Sequence, residues 1–356
     1  MAKTSLTNLT RRTFIKASGL ATAMPALASS RPIRTAFYGI AHGHFPGKLR
    51  TIQEMDEFQL VGICEPNQSV VDKHSTLSAV PFLTESELLH SPEIDLIVVE
   101  SDVPDLLRYA HRSVEAGKWV HMDKPPGNDI ERFEQMIGQA TSNNRMVQMG
   151  YKWRYHPAMS TAIRLAREGW LGAVYMVRST LNKPLSAKQR LALARYQGGI
   201  MFIEGCHMLD RTLDLLGKPQ DVRSWIRHDG ITQDGLADNN LAVLTYKDAL
   251  AEIYIAALQP NGNRYRTFEI LGSNGTATVR PYFPSPYKVY VDLKEAAGPY
   301  RTGQQVLELG NPPGPPFVGD FTDLAKIIRG QMAPNYTADF DLMTHRTLLE
   351  ICKVGI

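Results

Sequence analysis

Between Arg34 and Gly150 the chain alternates short apolar runs with stretches of helical periodicity, and this alternation constrains the fold more than any other feature. Runs of four to six apolar residues suit buried strands, and strands separated by helices pair in parallel through crossover connections. The candidate strands are 35–38, 59–64, 95–99, 119–122 and 146–149, with a weaker one at 80–83. Helix 104–116 opens with Pro104 in its first turn and stops at Gly117, the asymmetry expected of helix ends. Six strands in this order predict an α/β N-terminal Rossmann domain with a mostly parallel sheet over 29–150.

After Gly150 the texture changes. Helices are expected at 157–168 and 201–216, and period-two alternation marks 241–246 and 250–256 across Lys247-Asp248, then 268–271 and 276–279 across Ser273-Asn274-Gly275. This pattern predicts an α+β C-terminal domain over 151–316 with a large open, mainly antiparallel sheet, one face packed on helices. The stretch ELGNPPGPP (308–316) reads as a connecting loop, because proline removes backbone donors. Helices at 318–329 and 338–352 close the chain, and 317–356 is expected to pack back on the core.

The formal charge of +3 hints at a basic protein, but its distribution removes the hint. Residues 1–28 hold four of the 39 basic residues and none of the 36 acidic ones, which leaves a net −1 over the rest. No nucleic-acid partner is expected. The same 28 residues resemble a twin-arginine export signal: Thr10-Arg11-Arg12-Thr13-Phe14-Ile15-Lys16, a modest apolar stretch, then Ala26-Leu27-Ala28 as a cleavage site, with Ile15 for the usual Leu. The resemblance implies a periplasmic or extracytoplasmic protein, a twin-arginine machinery partner, and folding before export, often around a cofactor. A stable membrane anchor is not expected. The apolar run from Ala17 is interrupted by Ser18, Thr22 and Pro25 and falls short of the roughly 20 residues a span requires. Three scattered cysteines, Cys64, Cys206 and Cys352, predict neither a disulfide framework nor a zinc cluster, and no metal site is expected.

Four places carry candidate chemistry. The first strand ends in Gly39-Ile40-Ala41-His42-Gly43-His44, where a dinucleotide fold carries GxGxxG; only Gly39 is in register, with Ala41 at the second position and His44 at the third. The turn opens a helix whose amides can hold a phosphate. Glu65 ends the second strand, where a carboxylate accepts from ribose hydroxyls and repels a 2′-phosphate, which predicts NAD rather than NADP. Lys124, in Asp123-Lys124-Pro125-Pro126, sits at the C-terminal edge of the sheet; beside a cationic nicotinamide its pKa is expected to fall. In helix 201–216, Phe202, Cys206, Leu209, Leu213 and Leu216 form an apolar stripe, while Glu204, His207 and Arg211 share another face. His207 is then either a satisfied core histidine or an acid–base group oriented by Glu204.

Several stretches in order carry a family likeness: EAGKWVHMDKP (115–125), similar to EAGKHVxxEKP; GYKWRYHP (150–157), similar to GYxxRFHP; 199–210, similar to GGG…D/ExGxHxxD; and FEILGSNGT (268–276). The chain resembles the Gfo/Idh/MocA oxidoreductase family over nearly its whole mature length. The resemblance implies that Lys124 and His207 are catalytic, with Glu204 as a third acid–base candidate. It implies that Gly39, Ala41, His42, His44 and Glu65 hold the nicotinamide dinucleotide together with Ser101, Asp123 and Lys124. Substrate contacts are expected from Lys152, Arg154, Tyr196 and His207. The second domain's sheet is expected to form a homodimer or homotetramer contact.

Three departures stand out. Asp123 replaces the usual Glu of the EKP motif, and 100–104 lacks the TPxxxH-like pattern. Four residues before His207 stands Ile203, with Glu204 one residue late: either a local helix adjustment lets Glu204 substitute, or the third acid–base group is missing. The expected activity is an exported NAD(P)-dependent oxidoreductase acting on a sugar, polyol or glycoside by hydride transfer, with retained cofactor. The alternatives are an NAD-dependent glycosidase or epimerase-like enzyme working by transient oxidation and elimination, and a non-catalytic sugar-binding protein.

Overall fold

The computed structural model describes residues 31–354 apart from 75, 76, 78, 79, 312, 313 and 316; the export-signal segment 1–28 lies outside the described residues. Strands β1 (Ile33–Tyr38), β2 (Phe58–Cys64), β3 (Leu96–Val99), β4 (Trp119–Met122) and β5 (Val147–Met149) form a parallel sheet in the order β2-β1-β3-β4-β5. Every residue of β3 and β4 is buried, as a sheet covered on both faces requires. Helices α1 (Phe45–Glu54), α2 (Gln68–Val71), α3 (Glu85–His90), α4 (Val103–Glu115) and α5 (Ile130–Ser142) make the crossovers. In α4, Asp102 caps the Val103 amide, and Val103, Leu106, Leu107, Ala110 and Val114 form the buried stripe.

The sixth strand does not form. At 80–83 only a parallel bridge between Phe82 and Ile63 remains, with the Ile63 amide bonded to the Pro81 carbonyl and the Leu83 amide to the Ile63 carbonyl. Pro81 has no amide to donate, and Thr84 already caps α3 through a reciprocal bond pair with Glu87, so the run ends too early.

The second unit comprises α6 (Pro157–Arg167), β6 (Val174–Thr180), α7 (Ala187–Ala194), α8 (Cys206–Leu216) and strands β7 (Asp221–Arg227), β8 (Asn239–Thr245), β9 (Leu250–Ala256), β10 (Thr267–Gly272), β11 (Gly275–Val279), β12 (Tyr287–Leu293) and β13 (Gly303–Gly310). The eight strands run in the order β13-β12-β11-β10-β6-β9-β8-β7, antiparallel except where β6 meets β9. Alternate residues of β8 are buried, and α6 and α8 cover that face. Residues 308–310 belong to edge strand β13 instead of the expected loop; the prolines begin only at 312, and an edge strand tolerates the exposed Glu308.

Two helices, α9 (Val318–Ile328) and α10 (Ala338–Ile351), end the chain. Phe321, Leu324 and Ile328 of α9 join Phe37, Phe45 and Phe58 in one apolar cluster, so α9 returns to the first sheet. No helix among the described residues is long and apolar enough to cross a membrane.

Candidate active site

At the end of β1, Gly39 adopts φ +74°, and a Cβ there would meet the Ser101 Cβ at 2.5 Å. Only glycine allows this approach of the turn to the end of β3. The turn is pinned on both sides: the Gly39 amide donates to the Cys64 carbonyl (2.8 Å) and the His42 amide to the Glu100 carbonyl (2.7 Å). Glu65 accepts from the Ile40 amide and the Asn67 amide, each at 2.8 Å, which fixes its carboxylate beside the turn. Ala41 and Gly43 are exposed at the tip. An open turn leading into a helix, with a carboxylate at the end of the next strand, fits a dinucleotide: phosphates against 39–44, ribose against Glu65.

Beneath the turn lies a charged cluster. The inward stripe of α1 is Phe45, Lys48, Thr51 and Ile52, which buries Lys48 completely. Its ammonium donates to Glu100 Oε1 (2.5 Å) and Asp123 Oδ2 (2.6 Å). His44 Nδ1 lies 2.8 Å from the same Asp123 oxygen, and His42 Nδ1 lies 3.4 Å from it and 3.5 Å from Glu100 Oε2. Burial alone would raise the Asp123 pKa, but His42, His44 and Lys48 hold it well below the ordinary value. Sequence reasoning missed Lys48, although a lysine on the apolar stripe of a helix is a visible anomaly.

Across the crevice, residues Met201–Gly205 form a π-helical turn before α8. Such a turn holds one residue more than an α-turn. The extra residue shifts the register of Glu204 relative to His207. The Ile203 carbonyl accepts from the Lys124 ammonium (2.8 Å) and from the Cys206 thiol (3.3 Å). Glu204 accepts from Lys183 at 2.7 Å. Burial opposes its charge, yet Lys183 and Lys124 bring its pKa down to about 2.

His207 is buried, and its Nδ1 has no hydrogen-bond partner among the described residues. The expectation that Glu204 orients it is corrected: the carboxylate is bonded to Lys183, because the π-turn breaks the three-residue stacking assumed for a continuous α-helix. Burial, then Lys124 and Lys152, hold the imidazole neutral with a pKa well below the usual histidine range.

The two nearby lysines shift in opposite directions. Burial works against the charged form of Lys124, but Cys206, Glu204 and Asp123 together raise its pKa, so the protein alone does not produce the expected fall. The lowered amine is Lys152: burial brings it to about 8 against the pull of Glu204. Lys152 Nζ lies 3.3 Å from His44 Nε2 and 5.1 Å from the Trp153 ring centroid.

Two expected substrate contacts sit elsewhere. Arg154 is buried and bonded to Asp210 (2.9 and 2.6 Å) and Asp341 (2.5 Å) through Nε and Nη2, with its guanidinium 4.1 Å from the Tyr336 ring centroid, so most of its donors are held in an ion pair within the protein. Tyr196 lines a neighbouring cavity of about 430 Å³ with Arg195, Pro126, Asn128 and Phe202, and its hydroxyl bonds Asp102 (3.3 Å). Ser101 is buried beneath Gly39. The three cysteines are free and buried.

The molecule thus combines a dinucleotide-type parallel sheet with a second unit built on an open eight-stranded sheet. Residues 33–151 match the oxidoreductase family with an NAD-binding Rossmann fold, and 159–278 match the GFO/IDH/MocA C-terminal domain; the chain belongs to the Gfo/Idh/MocA family. It is 29% identical to the uncharacterized oxidoreductase YhhX of Escherichia coli over 40% of this chain and 41% of that protein. It is 26% identical to the NADP(+)-named scyllo-inositol 2-dehydrogenase IolW of Bacillus subtilis over 64% of each chain. The fold superposes on aldose-aldose oxidoreductase from Caulobacter crescentus with a TM-score of 0.75 at 19% identity, covering 92% of this chain and 99% of that one. The family match gives an NAD-binding domain, while the Bacillus relative is named for NADP(+), so the comparisons leave the choice between the two dinucleotides open.

Proposed function

We propose that the protein oxidises and reduces a CH–OH group of a sugar, polyol or glycoside with a bound nicotinamide dinucleotide. One observation carries this reading: Lys124, Lys152, Glu204 and His207 are close enough to shift one another's charge states, and Lys152 lies 3.3 Å from His44 at the end of the Gly39–His44 turn. A nicotinamide ring, when bound, takes up a hydride from the carbinol carbon and returns it. The protein's own task is the proton. Lys152, the lowered amine, accepts the hydroxyl proton in the oxidative direction, and the Lys124 ammonium donates a hydrogen bond to the developing alkoxide. The carboxylate at Glu65 supports NAD over NADP. The test is to follow nicotinamide absorbance in the purified chain across a panel of sugars, polyols and glycosides. A responding substrate is expected to lose its response in Lys124→Met.

The opposed shifts of the two lysines favour a second reading on the same site. Transient oxidation at C3 of a glycoside acidifies the neighbouring C–H, which a neutral Lys152 could take before elimination and re-reduction. Deuterium at C2 of sugar recovered from deuterated water supports this route, and its absence returns the case to plain hydride exchange.

The Arg11-Arg12 segment supports export by the twin-arginine route into an extracytoplasmic space. A cofactor bound before export and kept through a closed redox cycle suits that compartment. The outer face of the second sheet exposes Trp225, Leu250 and Val306, which supports a homodimer or homotetramer through that face. Light scattering of the purified chain tests it.

A further inference from the structure

We propose that His42, His44 and Asp123 bind one divalent transition-metal ion at the base of the β1–α1 turn, with the free oxygen of Glu100 facing His42 beside it. Nδ1 of His42, Nδ1 of His44 and Oδ2 of Asp123 all lie within 4.8 Å of one another. The separations are 2.8 Å from His44 to Asp123 and 3.4 Å from His42 to Asp123, with Glu100 Oε2 3.5 Å from His42. Metal bonds of about 2.0–2.2 Å to nitrogen and oxygen place neighbouring ligand atoms about 3 Å apart, so this group surrounds a point of the right size.

Glu100 supplies the independent observation. It is fully buried, its Oε1 is held by Lys48, and its Oε2 has no hydrogen-bond partner although it points at His42. A buried carboxylate oxygen left unpaired is strongly unfavourable. The charges agree: Glu100 and Asp123 face one ammonium, Lys48, which leaves the buried cluster one negative charge in excess.

Lys48 does not compete with a metal for the carboxylates. A carboxylate oxygen offers more than one lone pair, and ligating carboxylates are held in place by hydrogen bonds of this kind. His44 Nδ1 faces the site, and its Nε2, which carries the ring proton when Nδ1 binds a metal, lies 3.3 Å from Lys152 Nζ, where it donates to the neutral amine. A metal would replace two contacts: the long 3.2 Å bond that His42 Nδ1 accepts from the His44 amide, and the 2.8 Å hydrogen bond between His44 Nδ1 and Asp123 Oδ2. Two imidazoles and a carboxylate suit Zn²⁺, Co²⁺ or Ni²⁺ better than the hard ions Mg²⁺ and Ca²⁺.

This site also accounts for the altered glycine fingerprint. His44 stands where a dinucleotide fold carries its third glycine, and the side chain placed there turns to Asp123. The site needs no redox chemistry and does not rest on the proposed function.

The experiment uses the full chain stripped with a chelator and loaded with Co²⁺ alone, with uptake read by elemental analysis and by the visible ligand-field spectrum. Expected is one equivalent per chain, with affinity falling about 100-fold or more in His42→Ala combined with His44→Ala. Glu100→Gln, which leaves the imidazoles in place, is expected to weaken Co²⁺ about 10-fold or more and checks the site without touching the turn. A folded wild-type chain that takes up no Co²⁺, or a folded double variant that binds it as tightly as wild type, overturns the site. Dinucleotide binding is measured separately on the stripped chain. Binding of dinucleotide without Co²⁺ rejects the metal site alone, and binding of Co²⁺ without dinucleotide rejects the redox reading alone.

Discussion

Two buried ion networks lie in the same molecule and differ in completeness. Around Arg154, the buried charges balance two against two, Arg154 and Arg211 against Asp210 and Asp341, and no fully buried polar atom of the four lacks a partner among the described residues. Around Lys48, one ammonium serves two carboxylates, and Glu100 Oε2 is left without a partner. The balanced network ties residues 152–155 to α8 and α10. The unbalanced one sits under the phosphate-type turn, with His44 leading on to Lys152. The two networks are equally buried and differ in whether cations and carboxylates are matched.

The strongest way to break this contrast is at its open end. Lys152→Gln and Lys124→Met are each expected to lower turnover by 10²- to 10⁴-fold with the fold intact, as loss of a general acid–base group does. A Lys152→Gln enzyme with near-normal turnover would remove the functional half of the comparison. On the balanced side, Asp210→Asn leaves Arg154 and Arg211 short of a carboxylate and should cost about 3 kcal/mol in urea unfolding, while the folded fraction keeps its dinucleotide affinity. Glu100→Gln should cost less than about 1 kcal/mol, because it removes a surplus charge and not a matched one. Equal losses for the two substitutions would erase the distinction.

Smaller effects follow from pH. Lys152 titrates near about 8, so if the neutral amine is the base, oxidative turnover should rise with pH through that value, and the limb should vanish in Lys152→Gln. His121 and His345 are buried neutral, with pKa values lowered by burial to about 3 and about 4. The unfolded chain binds those protons first. Their contribution to stability is complete above about 6.5 and declines as pH falls toward 4, so the urea midpoint should drop across that window.

The parallel sheet, helix α4 and the β8–β9 and β10–β11 hairpins were legible because their apolar periods are local. Lys124, Glu65 and Gly39 were legible because they end strands. What the sequence hid is non-local. Asp123 lies 79 residues from His44, so no spacing rule joins them, and in the sequence alone the histidines of the turn read as part of a weakened phosphate motif. Arg154 lies in a family motif but finds its carboxylates 56 and 187 residues away, which turned an expected substrate contact into a structural pair. The π-turn at 201–205 left one trace, the single-residue offset of Glu204, and that trace could be read as an adjustment or as a loss.

The most direct measurement is dinucleotide binding to the purified, folded chain, monitored by calorimetry with NAD and NADP in parallel and repeated on Glu65→Ala. Saturable binding of NAD tighter than NADP, with the preference lost in Glu65→Ala, is the expected result. A folded chain that binds neither dinucleotide would contradict the assignment of the crevice as a nicotinamide-dependent redox site.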